Sequence, residues 1–292
     1  FGRITSAQNK VRTFDGIKTL VERTEVQNNM SDSSLKEIKN LLAYVKSELM
    51  KANTDTTGDA NLKSIAVALS GTKENLFTLA NTQVEGEYLF SGSDSSVKPF
   101  LKDAAGNISY VGNNKLRQIA VEEGSYRDRG VNGFDAMMYN SSVALKNETL
   151  AFSAKDRILD QDGNEWKLDT ATNLLTKYDL DGNITANTQA VTFNATTQTY
   201  SFTTPNTDGT KFEAKTNIFD LMTNIVNTLN MVDNAGNPIT RDDVRANLSK
   251  QIDAIDKSFD DLNVTHADLG AKNKVFETAL EAIDSKLNQY KK

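Results

Sequence analysis

The sequence predicts an α+β fold: an elongated, antiparallel, coiled-coil-like helical rod carrying a small inserted all-β domain. Three observations carry that prediction. Apolar residues recur at three- and four-residue spacing over long stretches near both ends of the chain. Between them the texture changes to short alternating segments separated by Asp-, Gly- and Asn-rich turns. Only three prolines occur in 292 residues, which leaves long helices uninterrupted.

The first helix is expected from near Ser6. Val11, Phe14, Ile17 and Val21 share one face, and Leu35, Ile38, Leu42, Val45 and Leu49 follow at helical spacing. Ser31-Asp-Ser-Ser34 lies between the two sets and reads as the polar outer turn of one long helix rather than a break. Asn53–Gly58 is a loop, and Asp59 is the expected N-cap of a second helix bearing Leu62, Ile65, Leu69, Thr72, Leu76 and Leu79. Gly86 is expected to end that helix. Tyr88-Leu89-Phe90 then forms an extended apolar clamp closed by Gly92.

Beyond the clamp, Asp103-Ala-Ala-Gly-Asn107, Asp160-Gln-Asp-Gly-Asn164 and Asp179-Leu-Asp-Gly-Asn183 share one turn form, with glycine in the left-handed position. Trp166/Leu168, Val191/Phe193 and Tyr200/Phe202 alternate as hairpin strands do. Residues 144–212 therefore read as the β insert, and 1–143 with 213–292 as the rod and its β-hairpin region. Helix returns at Asn217 with the stripe Ile218, Leu221, Ile225 and Leu229. The last segment carries a heptad seam: Ile255, Phe259, Leu262, His266, Leu269, Asn273, Phe276, Leu280, Ile283, Leu287 and Tyr290. Polar His266 and Asn273 in that seam cost stability and fix register. The terminal seams are expected to pack on each other, and a 45-residue helix would be about 70 Å long.

Composition narrows the function classes. Hydrophobic residues at 38% and aromatics at 8% suit helices that bury only a stripe. Net charge is −6, and no basic cluster precedes Lys291-Lys292, so neither DNA nor RNA is an expected partner. No apolar run approaches the ~20 residues of a membrane span. The absence of cysteine excludes disulfide and thiolate chemistry.

Candidate chemistry is sparse. His266 is the single histidine, so no two-histidine zinc site exists, and its heptad position makes it a seam residue rather than a base. The Asp-x-Asp-Gly-Asn turns are similar to calcium loops, but six residues after Gly163 stands Asp169, and six after Gly182 stands Thr188. Neither completes a calcium cage, and hairpin turns are expected. Asp242/Asp243 and Asp260/Asp261 are neighbours on helices and point about 100° apart, so neither pair flanks a substrate bond. Asp242/Asp243 suit a helix N-terminus. No catalytic residue, cofactor site or metal site is expected.

Ala80-Asn81, Gly86 and Tyr88-Leu89-Phe90-Ser91-Gly92 resemble the signature of bacterial flagellar hook-associated proteins at the hook–filament junction, the FlgL type, related to flagellin. Ile108–Val111, Val121-Glu-Glu-Gly124 and Asn132-Gly-Phe-Asp135 resemble the family's hairpin region. Ile218–Leu229 resembles its returning helix, and Ala267-Asp-Leu269-Gly270-Ala271-Lys-Asn273 resembles its Gly-Ala-Arg-Leu-Asn motif. Lys272-Asn273-Lys274 departs from the usual order there. The family's sticky N-terminal helix has no counterpart, and the C-terminal one is short, so a terminally truncated fragment is expected.

The resemblance implies a flagellin-like D1 rod with a D2 insert. It implies an extracellular adaptor on the flagellum, exported unfolded through the flagellar type III channel and assembled through its terminal helices. Implied partners are the first hook-associated protein, flagellin, copies of the chain in a ring, and an export chaperone. Three alternatives stay open: a flagellin filament subunit, a surface adhesin with a calcium-binding insert, and a glycan-acting enzyme with acids paired across a cleft between the two domains.

Overall fold

The computed structural model describes residues 1–54 and 56–291. Two helices of 51 residues, α1 (Gly2–Ala52) and α5 (Arg241–Lys291), dominate it. At 1.5 Å per residue each spans about 75 Å. They run antiparallel: Lys18 Nζ lies 2.7 Å from Asp284, Lys39 Nζ donates to Asn263 at 3.2 Å, and Lys46 Nζ reaches Asp256 at 2.6 Å. Residue numbers rise along one helix as they fall along the other, as expected of two terminal seams packed together. Polarity alone does not hold either helix. Both are stabilised by burying a seam.

Helix α2 (Asp59–Ala80) packs beside α1 and buries Leu62, Leu69 and Leu76. Gly58, not Asp59, occupies the N-cap, and Asp59 is the first helical residue. The chain then makes three small hairpins: β1 (Gln83–Val84) with β2 (Glu87–Tyr88), β3 (Phe100–Lys102) with β4 (Ile108–Tyr110), and β5 (Arg117–Glu122) with β6 (Ser125–Arg129). A single-turn helix, α3 (Gly133–Met137), is capped by Asn132, whose side chain accepts from Asp135 N.

The β unit follows. Its strands are β7 (Met138–Leu145), β8 (Thr149–Phe152), β9 (Arg157–Asp160), β10 (Glu165–Asp169), β11 (Leu174–Tyr178), β12 (Ile184–Ala190), β13 (Thr192–Asn194), β14 (Thr199–Thr203) and β15 (Lys211–Asn217). A six-stranded sheet ordered β12-β11-β10-β9-β15-β7 faces a three-stranded sheet ordered β13-β14-β8. Ala144, Leu150, Phe152, Ile158, Leu175, Val191, Tyr200, Phe202, Phe212 and Ala214 fill the space between them. Phe193 stays exposed, although its ring lies 4.8 Å from that of Tyr200. Strands β7 and β15 run on to Met138 and Asn217, so they carry the sheet into the helical part. Asn217 then caps α4 (Ile218–Leu229) by accepting from Phe219 N at 2.9 Å.

The Asp/Gly/Asn turns form as the sequence predicts, and a fourth copy occurs at Asp233-Asn-Ala-Gly-Asn237. In each, Asp103, Asp160, Asp179 or Asp233 Oδ1 accepts from the backbone N–H groups two and four residues on, at 2.8–3.0 Å. Their glycines hold φ between 80° and 86°. The turn carboxylates are thus committed to their own backbone. Those N–H groups, Asn107's first, hold Asp103 below the usual carboxylate range.

Three further expectations need correction. Ser31–Ser34 is part of one continuous helix, but Ser31 and Ser34 are buried, not on its outer turn. Small polar side chains fit there because they let the packed elements approach closely. Gly86 does not end α2. The helix stops at Ala80 with Asn81 at its C-cap, while Glu85 (φ 53°) and Gly86 (φ 79°) form the two-residue turn between β1 and β2. The α5 seam is also uneven. Ile255, Leu262, Leu269, Phe276 and Ile283 are buried, and so is Leu287, whereas Phe259, His266, Asn273 and Leu280 are half-buried. One heptad position faces the centre of the bundle and the other lies at its edge.

Candidate functional site

The residues singled out in Asn81–Gly92 build a joint between α2 and the hairpins. Asn81 behaves like a strand residue: its Nδ2 donates to Phe100 O at 3.1 Å and its Oδ1 accepts from Phe100 N at 3.0 Å. Leu89 N donates to Thr82 O at 3.1 Å and Tyr88 N to Ser95 O at 2.8 Å. Leu89 and Phe90 enter the main core at 4% and 0% exposure, but Tyr88 stays half-exposed, so only two members of the apolar clamp are inside. Ser91 Oγ donates to Asp94 O at 2.8 Å, and Ser91 O accepts from Asn113 N at 3.2 Å.

Gly92 is required twice over. Its φ is +89°, and a Cβ there would lie 2.1 Å from Asn113 Oδ1, the atom that accepts from Ser93 N and Lys115 N. Gly86 has the positive φ but open space around it. Gly92→Ala is therefore expected to destabilise by several kcal/mol, and Gly86→Ala by only about 1–2 kcal/mol. Urea unfolding of the two variants checks the order; equal losses would contradict it.

Beneath the joint lies a charged cluster that no sequence pattern announces. Glu87 of β2 is met by Arg117 of β5, Arg129 of β6 and two α1 residues, Arg23 and Gln27. Arg129 Nη1 donates to Glu87 Oε2 and to Gln27 Oε1, both at 3.0 Å. Gln27 Nε2 and Arg117 Nη1 also donate to Glu87, and Arg117 Nη1 reaches Ser95 Oγ at 3.1 Å. Arg23 Nη2 is 3.5 Å away from Glu87 and Arg23 Nε 3.0 Å from Glu85. Burial pushes the Glu87 carboxyl up, but bonds from Arg117 and Gln27 and the charges of Arg117 and Arg129 outweigh it. The carboxyl sits below its usual range.

On α5, Leu269 is buried while Gly270 and Ala271 face outward. Lys272 Nζ donates to Gly130 O at 2.8 Å and ties the helix to the end of β6. His266 hydrogen-bonds Asp32 of α1, which also pairs with Lys36 at 3.0 Å. Burial opposes the Asp32 charge, yet the Lys36 and His266 bonds hold its carboxyl below the usual range. His266 is thus a cross-helix pin. Between α5 and the β5–β6 hairpin runs a groove of about 540 Å³, lined by Phe14, Val121, Val275, Ala279 and Ile283, with Lys274 among its border residues. Among the described residues no cluster of three or more His, Asp or Glu could hold a metal ion.

One pair of acids does share the cleft between the β unit and α4. Asp156 accepts from Ser153 N and Thr216 Oγ1, both at 2.8 Å. Asp220 lines the same cleft, where burial pushes its carboxyl up to about 6 against the pull of Lys155. A carboxyl raised in this way weakens the fold where it is charged. The penalty is absent below the ordinary Asp range, grows as pH rises from about 4 to 6, and is complete above that. Asp220→Asn is expected to stabilise the protein on the order of 1–3 kcal/mol at pH 8 and to leave it unchanged near pH 4. Unfolding free energies at the two pH values check this.

No family model and no curated protein matches the sequence. Solved structures do. The chain is similar to Xanthomonas campestris FlgL at a TM-score of 0.64 and 16% identity, over 96% of this chain and 99% of that one. The flagellar hook-associated protein-3 of Legionella pneumophila gives 0.63 and 18% identity, over 99% and 96%. A putative flagellar hook-associated protein from Vibrio parahaemolyticus gives 0.63 and 9% identity, over 99% and 93%.

The chain has the FlgL-type hook-associated fold. The likeness takes in the β unit, which the resemblance at residue level left out. The expected α+β architecture, a helical rod with an inserted β unit, is that of the hook-associated structures. At these identities most surface residues differ, and the likeness rests on the helical frame, the hairpins and the β unit together.

Proposed function

We propose that this protein is a structural adaptor at the junction between the flagellar hook and the filament. The observation that supports it is the match of the whole chain, rod, hairpins and insert, to hook-associated structures from three bacteria. The joint around Phe90 and the cluster around Glu87 stiffen the rod where the hairpins meet α1. A stiff rod suits a part that transmits torque. The apolar groove beside α5 is an exposed surface of the kind that assembly covers.

In this proposal the protein works outside the cell, after export through the flagellar type III channel with the help of a chaperone. It binds the first hook-associated protein on one side, flagellin on the other, and copies of itself in a ring. Its seam residues, Ile255 through Leu287, and its joint residues, Asn81 through Gly92, serve the rod's shape rather than any reaction, and no catalysis is involved. A filament subunit would share the fold. The Tyr88-Leu89-Phe90-Ser91-Gly92 stretch favours the junction. Immunogold labelling of intact flagella in the source bacterium separates the two. A single band at the base of the filament is expected, and label along the whole filament would overturn the junction assignment.

A further inference from the structure

The rod has two apolar cores, not one. The larger holds thirty-four buried residues among those described, from Leu35 of α1 to Leu269 of α5, with α2, α4, Leu89, Phe90 and the β3–β4 hairpin among its contributors. The smaller holds seven: Ile17, Val21, Ile119, Val121, Phe276, Ile283 and Leu287. Between them the α1 seam keeps its phase, from Val21 through Thr24, Asn28 and Ser31 to Leu35, but every intervening side chain is polar and buried.

At the centre of this layer is Asn28, at 0% exposure, with neither amide atom bonded to another protein group. Asn273 Oδ1 is likewise buried and unpartnered. The antiparallel pairing of Lys18 with Asp284 and of Lys39 with Asn263 puts Asn28 and Asn273 at nearly the same height. Gly130 lies alongside: a Cβ on it would sit 3.5 Å from Asn28 Oδ1 and 3.8 Å from Ser31 Oγ. Buried amide groups without partners cost free energy unless water satisfies them, and these atoms offer a water the several polar partners it needs.

We propose that this polar layer is a plane of division, beyond which the end of the rod opens as one unit while the rest stays folded. The unit comprises α1 up to Gln27, the β5–β6 hairpin and α5 from Lys274 onward. Apolar contact that runs without interruption makes two regions unfold together. Here it is interrupted along α1, where no buried apolar side chain stands between Val21 and Leu35, and the smaller core has far less apolar area to hold it. The Glu87 cluster and Lys272 lie at the plane itself and hold the hairpin when the unit is closed.

Amide hydrogen exchange on the whole chain tests this. Residues 10–22, 118–128 and 276–288 are expected to exchange through one shared opening, with protection at least ~30-fold below that of residues 38–49 and 250–262. Asn28→Leu/Asn273→Leu is expected to join the cores and bring the two sets within a few-fold of each other. A bis-maleimide crosslink between Lys18→Cys and Asp284→Cys leaves the layer untouched and is expected to raise protection across all three segments together. Equal protection throughout the unmodified chain would overturn the proposal. So would a graded loss toward the helix ends that the crosslink corrects only next to itself, or a double variant that folds and leaves the gap unchanged.

Discussion

Arg129→Ala is expected to destabilise the protein by about 3–5 kcal/mol, among the largest single-residue effects in the chain. The guanidinium is almost wholly buried and holds Glu87 and Gln27 at once. Its removal leaves a half-buried carboxylate short of one cation and a buried amide oxygen short of its donor. Arg117 and Arg23 remain near Glu87, so the loss falls toward the lower end of that range. A surface ion pair such as Lys146–Asp208, with the Asp side chain 93% exposed, offers the contrast. Lys146→Ala is expected to cost well under 1 kcal/mol.

The same cluster sets an acid response. The Glu87 carboxyl is held below its ordinary value of 4.5. A group depressed in the folded state stabilises the fold above its unfolded pKa, and that contribution is lost as pH falls through the folded value. Acid below about pH 4 should therefore weaken this part of the rod. In Arg129→Ala the Glu87 carboxyl moves back toward its ordinary range, so the acid loss is smaller and is complete at a higher pH. Unfolding free energies from pH 7 down to pH 3 measure both effects. An acid profile identical in the two proteins would refute the role given to Glu87.

Phe90→Ala is the second large effect, at about 3–5 kcal/mol. Phe90 has no exposed surface and belongs to the main core with Leu89, Phe100 and Phe134. Its loss leaves a cavity that the rigid joint cannot collapse, because Asn81, Ser91 and Gly92 fix the backbone on both sides. Tyr88→Ala, two residues away on the half-exposed side, is expected to cost less than about 1.5 kcal/mol. Denaturant midpoints of the two variants decide the matter. If Tyr88 proved the more costly, the packing described for this joint would be wrong.

Much of the fold was legible because its signals are local and periodic. Leu35 through Leu49 and Ile255 through Leu287 carry the helical repeat openly, and the Asp-to-Asn turns place their glycines where a left-handed φ is needed. What escaped is of two kinds. Thr24, Asn28 and Ser31 sit in heptad phase between Val21 and Leu35, but polar side chains look like an outer face when hydrophobicity alone is followed. The phase itself would have exposed them. Glu87, Arg117 and Arg129 are different: ion pairs spanning 30 and 42 positions leave no periodic trace, and only folding brings them together. Gly86 was misplaced for a third reason. Glycine after a helix signals a helix stop and a hairpin turn equally well, and the two short strands flanking it are too brief to show alternation.

The most direct test of the junction assignment is deletion of the gene in its source bacterium. Cell-attached flagella would be viewed by electron microscopy, and the growth medium assayed for filament subunit. Bare hooks with filament subunit shed into the medium are the expected result. Normal filaments and normal swimming would contradict the assignment, and bare hooks without shed subunit would point instead to the filament subunit itself.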